Sequence, residues 1–186
     1  FGLFVIIVLG ETVVGVVNGV LDAEHRTVGT LVTAMLCLVI GFGFWWTYFD
    51  TTGHREPRRE LGAMSTWLYI HLPLTGAIAA SGAGMVLLIE HADAAHASAG
   101  ARWLLGGSVA LFLVCVAVIA GTLDDPPRAG MLRAITPALY AAAAYALLVA
   151  AVPLRGWLTA LLIGLASLVV WCYGFYLTAT RVPVTR

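Results

Sequence analysis

The chain has 186 residues, 61% hydrophobic and 11% charged, and its ten arginines balance ten acids with no lysine. A soluble domain carries about 25% charged residues, so an ordinary water-soluble enzyme is excluded. The apolar content excludes a disordered chain, and a zero net charge leaves no basic excess for nucleic acid. The class that remains is an all-α, polytopic transmembrane helical bundle in contact with membrane lipids.

Six apolar segments predict six spans, at about Phe1–Val20, Val28–Phe49, Met64–Ile89, Trp103–Gly121, Ala134–Val152 and Trp157–Thr178. Each holds about 20 residues or more, enough to cross a hydrocarbon core about 30 Å thick at 1.5 Å per residue. Unsatisfied backbone is intolerable in lipid, and no segment alternates with the period of two of a barrel strand, so helices are expected.

The first span begins at Phe1 with no charged leader and no cleavage site, which argues against a signal peptide. The chain is expected to be a piece of a longer bundle. Glu11 stands halfway along this span, about 15 Å deep at 1.5 Å per residue. An ionised carboxylate there costs at least ~2.5 kcal/mol, so Glu11 is expected to face the protein interior or a watery cavity. Asn18 lies seven residues on and near the same face, with Gly15 between them. Two readings stand: an acid locked by hydrogen bonds to a neighbouring helix, or a proton- or cation-handling group.

The second span closes on Trp45, Trp46, Tyr48 and Phe49, an interfacial aromatic belt. Asp50 follows at once. It is expected to cap the exit or pair with Arg55 or Arg58, or to form an inner mouth with Tyr48.

His71 lies about 10 Å into the third span, directly before Pro73. Pro73 cannot donate to the Tyr69 carbonyl and favours a bend. Histidine exchanges protons near neutral pH. His71 is therefore either a satisfied core histidine or a relay at a depth compatible with Glu11. Gly76, Ala80 and Gly84, like Gly15 and Gly19, recur every four residues. Such stripes let helices approach closely, or leave room for a pathway. Glu90, His91, Asp93 and His96 read as a solvated loop, since their spacing matches no metal rule.

The later spans carry fewer signals. The stretch Gly121–Gly130 reads as a turn, with Asp124 and Asp125 solvated. Pro137 falls in the first turns of span five. Ala141–Ala144 forms a thin surface. Cys37, Cys115 and Cys172 lie within apolar segments and read as buried small hydrophobes. Trp171, Tyr173, Phe175 and Tyr176 crowd the inner end of span six, and Trp103 and Trp157 the outer ends.

Seven arginines (55, 58, 59, 128, 133, 181 and 186) fall on one side of these spans, and Arg26, Arg102 and Arg155 on the other. The positive-inside rule places the seven, both termini and the tail 181–186 in the cytoplasm. No HExxH, GxSxG, phosphate loop or CxxC occurs, so no catalytic set, cofactor or metal site is expected.

Three pieces are familiar together: FGLFVIIVLGETVVGV at Phe1–Val16, FGFWWTYFD at Phe42–Asp50 and WLYIHLPLTGAIA at Trp67–Ala79. The set resembles the bacterial low temperature requirement A family, with this chain similar to its C-terminal half. The last three spans match mainly in character. The resemblance implies a multipass bacterial plasma-membrane protein and marks Glu11, Asp50 and His71 as motif positions. It supplies no substrate and no catalytic residue.

The expected function is that of a transporter or channel-like protein. Glu11 handles a proton or cation, His71 relays protonation, and Asn18, Asp50 and Tyr48 line the route of a proton, small ion or solute. The alternatives are a membrane scaffold or stress-response accessory protein, and a lipid-modifying membrane enzyme.

Overall fold

The computed structural model describes residues 1–52, 55–124 and 129–181. His54, Asp125, Arg128, Arg186 and most of the expected 181–186 tail lie outside the described residues, as do the side chains of Arg133 and Arg181. Six helices form: α1 (Gly2–Asp22), α2 (Val28–Thr52), α3 (Leu61–Glu90), α4 (Ala99–Thr122), α5 (Ala129–Ala151) and α6 (Gly156–Arg181). Each contains a segment long and apolar enough to cross a membrane. The chain is an all-α polytopic bundle. Helix α3 is the longest at 30 residues, about 45 Å, so its ends extend past a core about 30 Å thick.

The helices close into a ring in the order α1, α3, α4, α5, α6, α2, with α2 also touching α4 across the middle. Phe44 of α2 and Phe112 of α4 meet there at 4.5 Å between ring centres. Lipid is as apolar as leucine, so tight packing, not escape from water, selects the helix contacts. Glycines show where. A Cβ on Gly84 would stand 2.8 Å from the Leu105 backbone nitrogen, and one on Gly106 2.7 Å from the Ala150 Cβ. Gly84 therefore brings α3 onto α4, and Gly106 brings α4 onto α5. Of the expected stripe on α3, Gly76 takes no part, with nothing within 4 Å.

Many polar groups in the interior are satisfied locally or between helices. Ser81 and Ser108 oxygens lie 2.8 Å apart across α3 and α4. The Trp171 ring nitrogen of α6 donates to Thr47 of α2 over 3.2 Å. Helix α3 runs unbroken through Pro73. The Thr75 hydroxyl donates to the carbonyls of His71 and Leu72 there, at 2.9 and 3.1 Å. Neither of these is the Tyr69 carbonyl, which Pro73 leaves without its helical donor.

The connections fall alternately at the two ends. At one end a two-residue strand β1 (Glu56–Pro57) pairs antiparallel with β2 (Leu123–Asp124). This ties the α2–α3 connection to the α4–α5 connection, where loops alone were expected. At the other end Thr27 donates to Asp93 over 2.7 Å, and the Ala97 amide donates to the Leu154 carbonyl over 2.8 Å.

Four arginines finish helices. Arg26 donates to Leu21 O of α1, Arg58 to Gly121 O of α4, and Arg102 to Ala150 O of α5, at 3.0, 2.7 and 3.1 Å. Arg55 donates to the main-chain oxygens of Asp50 and Thr51 of α2. The last carbonyls of a helix lack intrahelical donors and carry partial negative charge, which an arginine answers on both counts. Sequence reading used these arginines to assign sides and offered Arg55 or Arg58 as a partner for Asp50, but carried no sign of their place at helix ends.

Candidate functional site

Apart from the thiols of Cys37 and Cys115, the most enclosed titratable group among the described residues is His71 on α3, 2% exposed. Its Nδ1 lies 2.6 Å from the Trp67 carbonyl oxygen one turn earlier. A carbonyl only accepts, so Nδ1 carries the proton and Nε2 is left as an acceptor. The Tyr48 hydroxyl of α2 stands 3.1 Å from Nε2 and donates to it. Tyr48 is itself 4% exposed. The Phe1 ring stacks on the imidazole at 4.3 Å, and the Trp67 ring meets it edge-on at 5.0 Å. The imidazole is thus walled by aromatics and joined to two helices.

Sequence reading named Tyr48 and His71 separately, Tyr48 at an inner mouth beside Asp50. The structure separates that pair. Residues two apart on a helix point about 200° apart around its axis. Tyr48 therefore turns inward while Asp50 is exposed. The Asp50 main-chain oxygen accepts from Arg55, which belongs to the helix-end arrangement described above.

Glu11 is placed against expectation. It is exposed, on the outward face of α1, and so is Asn18. The rotation of α1 is fixed by its other side, where Val5, Leu9, Thr12, Val16 and Gly19 are buried. Thr12 packs on Gly82, and Gly15 and Gly19 on Val86 of α3. Close packing along that small-residue stripe leaves no freedom to turn a single carboxylate inward. Gly15 accordingly faces α3 instead of joining Glu11 and Asn18.

Nor do Glu11 and His71 share a depth. Helices α1 and α3 run parallel, with Phe1 beside His71 and Thr12 beside Gly82. Glu11 lies ten residues beyond Phe1, about 15 Å farther along the bundle. The two groups form separate sites, one enclosed near an end and one open near the middle of the span.

The remaining candidates are also placed. Cys37 and Cys115 are buried as expected, but Cys172 is exposed on α6, since its position falls outside the stripe that meets α2 and α5. Asp93 accepts from Thr27, and His91 donates from Nδ1 to the Leu87 carbonyl over 3.1 Å. Among the described residues no three His, Cys, Asp or Glu side chains gather as a metal-holding group. An apolar groove of about 420 Å³ lies between α5 and α6, lined by Ala138, Ala141, Tyr145 and Val169 among others. It includes part of the expected thin alanine surface.

The family model for the bacterial low temperature requirement A protein (LtrA) matches residues 1–174. No curated protein and no solved structure matches the chain.

Proposed function

The chain belongs to the bacterial low temperature requirement A family, and we propose that it is a non-enzymatic transporter or channel-like protein of the bacterial plasma membrane. In this reading both termini face the cytoplasm and the Tyr48–His71 pair handles the proton. The observation that carries it is the enclosed hydrogen bond from Tyr48 to His71, which joins α2 to α3.

The chemistry follows from donors and acceptors. Neutral His71 accepts from Tyr48 at Nε2. A proton arriving at Nε2 turns that nitrogen into a donor. The Tyr48 hydroxyl must then rotate and accept, or the bond between α2 and α3 breaks. Protonation thereby changes a link between two spans, which is the kind of local event that biases helix arrangement. Glu11 enters as a separate midmembrane acid, since about 15 Å of helix separates it from the pair.

The test is proton uptake into proteoliposomes under an imposed potential, repeated with a panel of small cations. Wild-type vesicles are expected to acidify faster than protein-free ones. Tyr48→Phe and His71→Gln should each slow this by about tenfold or more, the lower range for removing a positioned proton-transfer group. Uptake equal to that of protein-free vesicles under every condition, or unchanged uptake in His71→Gln, would overturn the proposal.

A scaffold or accessory role is the second reading. It is favoured by the use made of both His71 nitrogens, which tie α3 to itself and to α2 much as Ser81 and Ser108 tie α3 to α4. Loss of folding in the same variants, with no flux in the wild type, selects it.

A further inference from the structure

Glu11 presents a physical problem that the bundle leaves open. It lies near the middle of α1, on a face that also exposes Ile7, Gly10, Val14, Asn18 and Leu21. Everything else on that face is apolar or small except Asn18. Acids within spans almost always face protein or water, because an ionised carboxylate in lipid costs at least ~2.5 kcal/mol. Gly10 stands next to Glu11 and has nothing within 4 Å of the position a Cβ would take. A helix laid on this face can therefore approach the backbone closely, beside the carboxylate.

We propose that this face of α1 is the docking surface for a further transmembrane helix that carries an arginine or lysine at the depth of Glu11. Charge decides the occupant. A carboxylate in lipid is answered by a cation or a strong hydrogen-bond donor. Among the described residues a second copy of the chain brings no cation to that depth, only the neutral hydroxyls of Tyr140 and Tyr145, exposed on α5. The described arginine side chains (26, 55, 58, 59, 102 and 155) all stand at helix ends or in connections, and His71 is enclosed about 15 Å away along the bundle. A parallel pair of copies would instead set Glu11 against Glu11. Asn18, seven residues on, offers the incoming helix a second hydrogen-bonding position on the same face. The proposal does not rest on the transport reading.

The experiment uses the full chain in phosphatidylcholine vesicles with synthetic leucine-rich transmembrane peptides. One peptide carries a single arginine at its centre, one leucine there, one glutamate, and one has the arginine moved by four residues. A donor dye sits on the protein through Asp22→Cys in a Cys172→Ser background, and the acceptor sits on the peptide. Energy transfer is expected to show the centred-arginine peptide binding about tenfold more tightly than the leucine and glutamate peptides, a margin within reach of one intramembrane polar contact. Moving the arginine by four residues should weaken it.

Glu11→Leu should erase the preference, and Glu11→Gln should remove most of it. Both leave the packed face of α1 untouched, and circular dichroism checks their helicity. Equal binding of the arginine and leucine peptides, or an arginine preference that survives Glu11→Leu, overturns the proposal. Transfer between two labelled copies of the chain that depends on Glu11 also overturns it, in favour of a second copy as occupant.

Discussion

The Tyr48 hydroxyl donates to Nε2 of His71 over 3.1 Å, joining two helices at residues 23 positions apart in sequence. Both partners are almost fully enclosed. Tyr48→Phe leaves Nε2 buried without a donor. The expected loss of stability is about 1 kcal/mol, between the cost of an orphaned buried acceptor and the average for interhelical bonds in membranes. His71→Leu removes the acceptor as well, so the double variant should lose less than the sum of the singles. Reversible unfolding in mixed micelles measures the cycle. Strict additivity would show that the bond contributes nothing to holding α2 on α3.

Glycines on α3 and α4 should divide sharply. Gly84→Ala drives a methyl group into the Leu105 backbone, and Gly106→Ala drives one into Ala150 and the Ala146 carbonyl. Backbone cannot move aside as a flexible side chain does, so each should cost about 1–3 kcal/mol. Gly76→Ala meets open space and should be neutral or slightly stabilising, since alanine favours helix over glycine by about 1 kcal/mol. The same unfolding assay ranks the three. Equal effects at Gly76 and Gly84 would contradict the packing described for α3 and α4.

Sidedness offers a third test. Glu24 and His96 are exposed at one end of the bundle, Glu56 and Arg59 at the other. In a Cys172→Ser background, Glu24→Cys and His96→Cys should react with a membrane-impermeant maleimide added to intact cells. Glu56→Cys and Arg59→Cys should react only after permeabilisation. The reverse pattern would invert the orientation read from the arginines. Reaction of Glu24→Cys and Glu56→Cys from the same side would contradict the bundle itself.

Composition and arginine placement determined the class, the six spans and the alternation of loops, because crossing a lipid core imposes length and apolarity on each segment independently of its neighbours. The same one-dimensional reading named Tyr48, His71, Glu11, Asn18 and Asp50 as chemically unusual. It had no access to rotation. Glu11 was expected inside because its own chemistry favours shelter, yet the small residues on the far side of α1 decide which way that helix faces. Tyr48 read as part of an aromatic belt and a mouth. Its enclosure follows from where α3 places His71, a contact with no signature in either segment alone. Arginine positions were legible as topology, while their role at helix ends depends on carbonyls up to 63 residues away, as Arg58 and Gly121 show. Sequence by itself therefore fixed which residues are costly in a membrane. Tertiary structure decided which of them the bundle shelters, because shelter depends on close packing between helices whose order around the ring is not their order along the chain.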